Sequence, residues 1–320
     1  MLKILDLINK LQNEKRAFIQ THNFPDHDAV ASAYGLSNLL LEFGIETHII
    51  YKGEIQRDSL IKMIENLQIN ISKYENFDIK EDDKIIVVDG CKGNSNVEGL
   101  NGTEIAIIDH HDVSEPENIE YVDIRSNYGA CSTIIYTYYK ELKKVIPRNI
   151  ATALIIGLNV DTSQLTRRVS LEDINAFHSL YIGADIHFVN SVLRNYIKVK
   201  DLNFYNFLLN NIKINSSIAF CYFKDGCNQN LLGILSDFVL SIEEIDFVIL
   251  CAKNNGAINF SIRNEKNGIN AASIIQKVLK GLGLGGGHAD MAGGVIKDIA
   301  KFDEQKIYNL FTDAIENTKR

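Results

Sequence analysis

Two runs of this chain, "KIIVVDGC" (84–91) and "EIAIIDHH" (104–111), are apolar without alternation. A half-exposed strand alternates with period two and an amphipathic helix repeats every 3.6 residues. A short unbroken apolar run is therefore expected of a strand buried on both faces. Such strands belong to a mostly parallel sheet covered by other layers, which restricts the first half of the chain to an α/β architecture. "AFIQTH" (17–22) and "THII" (47–50) add two β-rich runs, and "DAVASAYGLSNLLLEFG" (28–44) between them has helical spacing closed by Gly44 as a C-terminal cap.

From about residue 130 to 195 the pattern turns helical, with "STIIYTYYKELKK", "NIATALIIGL" and "LEDINAFHSLYIGA" each carrying an apolar face. After the polar stretch "LRNYIKVKDLN" a second α/β alternation begins, with "SSIAFCYF", "DFVILCAK" and "AINFSIR" as strands and "NLLGILSDFVLS" and "INAASIIQKVLKGL" as helices. The expected organisation is a first domain over 1–195, a mostly parallel sheet flanked by helices and followed by connector helices. A linker over 196–203 and a smaller α/β domain over 204–320 complete it. No internal repeat or low-complexity tract interrupts this plan, and with 3 prolines in 320 residues there is no long proline-rich linker.

The charge narrows the function classes. A formal net charge of −8 supplies no overall basic field, so counterion release from long duplexes is not the basis of binding, and any nucleic-acid partner is expected to be short and held locally. Five cysteines, an odd number without metal-knuckle spacing, read as buried thiols of a reducing compartment. The N-terminal segment is interrupted by charge, unlike a signal sequence, and no run approaches the roughly 18 apolar residues of a membrane span. A cytoplasmic protein without a membrane partner is the expectation.

The acids and imidazoles are placed systematically. "AFIQTH" ends in His22 with Asp26 and Asp28 just beyond, "IIVVDG" in Asp89, "IAIIDHH" in Asp109, His110 and His111, and the helical run "ALIIGLNVDT" in Asp161. Taken singly, each is also what a turn or a helix cap looks like. Taken together, they fall at the carboxyl ends of successive apolar runs, where open α/β sheets gather ligands. Oxygen and imidazole donors suit Mn²⁺, Mg²⁺ or Co²⁺ better than structural zinc, and five or six of them exceed what one ion needs. A pair of ions roughly 3.5–4 Å apart, sharing a carboxylate, is the expectation. In the second half, "GLGLGGGHADMAGG" (281–294) reads either as a tight turn or as a place where backbone N–H groups of Gly285, Gly286 and Gly287, with His288, approach an anion, helped by the dipole of a nearby helix. Arg263, ending "AINFSIR", and Arg167 and Arg168 past Asp161 are candidate phosphate contacts or surface charges. Tyr128 in "NYGACST" is a candidate for base stacking or for packing.

These motifs resemble the DHH phosphoesterase superfamily: "HNFPDHDAVASA", "VVDG", "DHH" and "GLNVDT" appear in order, and "FSIRN", "INAASIIQ" and "GLGGGHADMAGG" are similar to the DHH-associated domain with its GGGH motif. Within the superfamily the size is similar to that of the bifunctional oligoribonucleases that degrade nanoRNAs and dephosphorylate 3′-phosphoadenosine-5′-phosphate (pAp). The basic C-terminal signature of family II pyrophosphatases is not found. The resemblance implies that His22 and Asp26 bind a first Mn²⁺, that Asp89 bridges, and that Asp28, His110 and Asp161 complete a second site. It further implies that His111 sits against the phosphate and that Asp109 orients His110 or His111 from behind. His27 stands where the family commonly has a small or apolar residue and is expected as an exposed turn side chain. Ala31 stands where glycine is frequent, and Leu165 near a frequent aromatic. The implied activity is hydrolysis of very short oligonucleotides to mononucleotides, with pAp a possible further substrate and a homodimer a possible assembly. The first domain would cut and the second grip the terminal nucleotide. A phosphodiesterase for cyclic dinucleotides or linear pApA is the alternative within this chemistry, and a non-catalytic nucleotide-binding regulator the alternative outside it.

Overall fold

The computed structural model describes residues 3–14, 16–55, 57–91, 97–113, 116–194 and 197–317. The chain divides into two compact units, 1–196 and 197–320.

In the first unit, β1 (Ala17–Thr21), β2 (Thr47–Tyr51), β3 (Ile71–Lys73), β4 (Lys84–Val88), β5 (Thr103–Asp109) and β6 (Tyr121–Ile124) form one parallel sheet in the order β3-β2-β1-β4-β5-β6. The unalternating runs have the expected cause. Ile86 and Val88 of β4 belong to the large core on one face, whereas Ile85 and Val87 belong to a second core on the other. The large core is closed by α1 (Lys3–Leu11), α2 (His27–Leu41), α3 (Asp58–Asn66), α4 (Cys131–Glu141), α5 (Arg148–Asp161), α6 (Leu171–Gly183) and α7 (Ile186–Leu193). The smaller core is closed by Ile79, Cys91 and Val97, with Tyr74, Phe77 and Leu100 packed against it. Helix α2 runs against α5 at close range: a Cβ added at Gly157 of α5 would lie 2.5 Å from Ser132 Oγ and 2.8 Å from Asp28 Oδ1. Glycine at 157 therefore lets the two helices meet at Asp28.

The strand order decides where a ligand can collect. It reverses between β1 and β4, which are 67 positions apart in the pairing Ala17 to Lys84 but adjacent in the sheet. The crevice beyond the carboxyl ends at such a reversal is where open sheets bind ligands.

In the second unit, α8 (Leu202–Asn211), α9 (Gln229–Leu240), α10 (Ala271–Leu279) and α11 (Glu304–Glu316) cover a sheet made of β7 (Lys213–Asn215), β8 (Ile218–Phe223), β9 (Phe247–Asn254), β10 (Ala257–Asn264), β11 (Leu284–Gly287) and β12 (Met291–Ile296). Its order is β11-β12-β10-β9-β8-β7, with β8 and β9 parallel and the other pairs antiparallel. Phe220, Phe260 and Ile262 pack with α10 and α11 on one face, and Cys221, Val248 and Leu250 with α8 and α9 on the other. Residues 195 and 196, where the domain boundary was expected, lie outside the described residues. The following segment is structured: Lys198 N donates to Asp201 Oδ2 in a 3-10 turn over Val199–Asp201, and α8 starts at Leu202. All five cysteines are buried. Among the described residues no helix is long and apolar enough to cross a membrane.

Candidate metal centre

The carboxyl ends of β1, β4 and β5 and the end of α5 bring seven of the candidate side chains together. His22 follows β1, and its Nδ1 donates to Asn23 O at 2.9 Å. A carbonyl oxygen can only accept, so Nδ1 carries a proton and Nε2 is the atom turned to the carboxylates. Nε2 lies 3.9 Å from Asp26 Oδ1 and 3.8 Å from Asp89 Oδ2. Asp26 is the N-cap of α2, its Oδ1 accepting from the N–H groups of Asp28 (3.0 Å) and Ala29 (3.1 Å). Asp89 follows β4 in a left-handed conformation, φ 57°, while its N–H still donates to Ile108 O of β5. Aspartate tolerates that region better than most residues.

His110 repeats the logic of His22 from β5. Its Nδ1 donates to Tyr128 O at 3.3 Å, which leaves Nε2 facing Asp161 Oδ2 at 3.2 Å, Asp89 Oδ1 at 3.4 Å and Asp28 Oδ2 at 4.0 Å. His111 donates from Nδ1 to Asp109 Oδ1 at 2.7 Å, and its side chain is 37% exposed. All three imidazoles are thus held by an oxygen on Nδ1, as second partners hold metal-bound histidines. Asp28 is fully buried, with Oδ2 accepting from Cys131 N (2.6 Å) and Oδ1 from Ser132 N (2.9 Å) and the Ser132 hydroxyl, so the amino end of α4 fixes it.

Among the described residues, three overlapping sets have donor atoms close enough to hold a metal ion: His22, Asp26 and Asp89; Asp28, His110 and Asp161; and Asp89, His110 and His111. Asp89 turns one oxygen toward His22 and the other toward His110. Asp89 Oδ1 and His110 Nε2 are buried and, although 3.4 Å apart, neither makes a hydrogen bond of good geometry. Buried polar atoms are ordinarily satisfied, and a cation between these donors would satisfy both. The residues fit divalent cations.

The electrostatics of the metal-free site point the same way. Burial, then the charges of Asp89 and Asp161, push the Asp28 carboxyl well above the usual carboxylate range, and burial followed by Asp26 raises Asp161. Burial disfavours a charged His22, yet Asp26 and Asp89 outweigh it and push the imidazole up to about 10. His110 is likewise raised well above its ordinary value by Asp161 and Asp89 against the effect of burial. Protons thus stand in for cations. At pH 7.5 an ordinary histidine would be mostly neutral, whereas His22, pushed up to about 10, holds a proton that it must lose to bind an ion, and His110 is shifted in the same direction. Titrating Mn²⁺ into metal-free protein is therefore expected to release one to two protons, with affinity rising as pH rises. Calorimetry in buffers of different ionisation enthalpy reads the release directly, and identical heats would show the imidazoles to be neutral beforehand.

Other residues depart from expectation. His27 is 2% exposed, not a turn side chain on the surface. As the first residue of α2 it points inward, its Nε2 3.0 Å from Ser59 Oγ of α3, and burial followed by the Arg57 charge pushes its pKa down to about 4. Tyr128 packs against the core and its hydroxyl accepts from Arg125 (3.4 Å). Arg168 is exposed, on a turn in which Ser163, Gln164, Leu165 and Arg168 all have positive φ.

In the second unit the glycine-rich run is a β-hairpin, with Gly285 opposite Gly294 and Gly286 opposite Gly293. A Cβ on Gly294 would lie 2.7 Å from Ile275 and Leu279, so the hairpin needs this glycine to pack on α10. The dipole of α10 is not free for an anion: Ala271 N donates to Ala289 O (2.9 Å) and Ala272 N to His288 O (3.1 Å). The His288 side chain is exposed at the hairpin turn. Arg263 is paired with Asp237 and donates to Ser261 Oγ at 3.3 Å.

Comparison with known proteins accords with this geometry. The DHH family N-terminal domain matches residues 16–158 and the DHHA1 domain residues 215–318. An uncharacterized protein of Methanocaldococcus jannaschii is 29% identical over 96% of this chain and 64% of its own length, so the chain spans about two thirds of that relative. The bifunctional oligoribonuclease and PAP phosphatase NrnA of Mycoplasma genitalium is 24% identical over 98% of this chain and 97% of its own. An exopolyphosphatase-related protein from Bacteroides fragilis superposes with a TM-score of 0.80 at 18% identity, covering 98% of this chain and 96% of that one, which shows a shared fold. With both domains matched in order and the strand-end acids and imidazoles assembled into one cluster, the chain belongs to the DHH phosphoesterase superfamily as a DHH domain followed by a DHHA1 domain.

Proposed function

We propose that the chain is a Mn²⁺-dependent phosphodiesterase that converts very short oligonucleotides to mononucleotides, with pAp as a further substrate. The observation that carries this reading is the orientation of three imidazoles, each held at Nδ1 by an oxygen, with His22 and His110 turning Nε2 to aspartates at the ends of parallel strands and of α5. His22 and Asp26 would hold one ion, Asp28, His110 and Asp161 the other, and Asp89 both. Bound cations supply charge neutralisation for the phosphodiester and raise the acidity of the attacking water. His111 has a separate part. The carboxylate of Asp109 bonds its Nδ1 and raises its pKa, which favours the protonated imidazole, half-exposed, as a partner for a phosphate oxygen or a leaving group.

Short substrates are favoured by the acidic charge of the chain, which provides no basic track for a long strand. They are favoured also by the NrnA relative, matched over nearly the full length of both proteins. The test is a ranking of initial rates with Mn²⁺ on pAp, pApA, cyclic di-AMP and RNAs of increasing length. Dinucleotides and pAp are expected to lead; long RNA cut as fast as dinucleotides would overturn the length preference, and cyclic di-AMP leading would replace the substrate class.

A further inference from the structure

The peptide joining Tyr128 to Gly129 is held from both sides. Its carbonyl oxygen accepts from His110 Nδ1 at 3.3 Å, and its N–H donates to Asp173 Oδ2 at 2.9 Å. The peptide unit is planar and stiff, so fixing the N–H fixes the direction of the C=O. Asp173, in the first turn of α6, closes a capping box with Ser170, whose N–H and hydroxyl bond Oδ2 at 2.7 and 2.6 Å. A cap of that kind works on the surface, yet Asp173 is fully buried. It also takes the Thr133 hydroxyl on Oδ1 at 2.5 Å, and so reaches the loop before α4 and the first turn of α4 itself. Burying a carboxylate is costly, and helix capping alone does not call for it. No side chain fits at 129: an added Cβ would lie 2.6 Å from Thr162, 2.7 Å from Arg168 O and 3.1 Å from Asp173 Oδ2.

We propose that Asp173 is a positioning residue for the His110 side of the metal centre, acting through the Tyr128–Gly129 peptide. Metal-bound histidines commonly donate their second N–H to a carboxylate, which sets the ring orientation and strengthens the ligand. His111 has that carboxylate directly in Asp109. His110 has it one peptide removed, in a chain from carboxylate to amide to imidazole in which each hydrogen bond polarises the next. His22 bonds Asn23 O and lies outside the relay.

This inference rests on the two-ion reading, and the experiment separates the two. Mn²⁺ binding to metal-free full-length protein is measured by the resonance of free Mn²⁺, for wild type, Asp173→Asn and Ser170→Ala, alongside Tm. Ser170→Ala removes the cap hydroxyl and leaves the Gly129 bond. Asp173→Asn is expected to weaken one of two Mn²⁺ ions by about 10- to 100-fold and to spare the other. Ser170→Ala is expected to lower Tm and spare both. Unchanged binding in Asp173→Asn, or an equal loss in Ser170→Ala, would overturn the relay. Wild type that binds no Mn²⁺ would remove the metal centre itself. Should Asp173→Asn not fold, the amide resonance of Gly129 in wild type decides. It should move on Mg²⁺ saturation while that of Phe188, capped by Asp185 at 3.0 Å, stays fixed, and a stationary Gly129 resonance would sink the proposal.

Discussion

Replacing Asp89 by alanine is expected to abolish turnover of every phosphodiester substrate and to leave the protein without a pair of bound divalent ions. One oxygen of Asp89 lies 3.8 Å from His22 Nε2 and the other 3.4 Å from His110 Nε2, so its removal takes a donor from both sides of the centre. Charge stabilisation by a metal centre is worth several kcal/mol, which at 1.36 kcal/mol per factor of ten is a loss of at least about 10³-fold. The fold should survive, because the Asp89 N–H to Ile108 O bond is backbone and the variant loses a buried acid from a crowded acidic cluster. Metal content by elemental analysis and kcat on a dinucleotide are measured together with Tm. Two ions retained with substantial activity would take Asp89 out of the shared position.

His288→Ala is expected to cost dinucleotide substrates about 10- to 100-fold in kcat/KM. That is the size of one charge-assisted contact to phosphate, on the order of 1.5–3 kcal/mol. Hydrolysis of bis-p-nitrophenyl phosphate and the number of bound Mn²⁺ ions should stay unchanged. The backbone of His288 is tied into the hairpin by its N–H to Met291 O at 2.7 Å and by its carbonyl to Ala272 N, so truncating the exposed side chain leaves the turn intact. Arg263→Ala is a less clean probe, since it also breaks the ion pair with Asp237 and leaves that carboxylate alone. An equal fall for the artificial ester and the dinucleotide would place His288 in the chemical step or the fold, and the expectation that its side chain contacts a phosphate would be withdrawn.

The alternation of strands and helices was legible in the sequence because burial leaves a periodic mark. Ile85 to Val88 had to be apolar without interruption, since alternate residues fill two cores on opposite faces of one sheet. The acids and imidazoles were legible as a set because they follow such runs directly. Their separate roles came only with the family resemblance. What the sequence left open lies in contacts between distant residues, which leave no period. His27 reads as a turn residue beside Pro25, but the first turn of α2 aims it at Ser59. The glycines of 281–294 read either as a tight turn or as a place for an anion, without saying what they pack on. The hairpin stacks Gly294 on Ile275 and Leu279, and the carbonyls of His288 and Ala289 use the donors at the start of α10.

Tertiary structure alone decided the order in which the strands lie. Hydrogen bonding of β4 beside β1 carries Asp89 to within ion-pair distance of His22, 67 positions earlier in the chain. It also decided what holds each of these side chains: Asn23 O for His22, Tyr128 O for His110, the amino end of α4 for Asp28, and a buried Asp173 behind the peptide that His110 rests on. By itself the sequence determined which side chains are present and at which strand ends they emerge, through hydrophobic burial that acts locally and repeats. It could not determine their mutual geometry, because that depends on backbone groups that every residue type carries and on packing between segments the chain brings together only when folded.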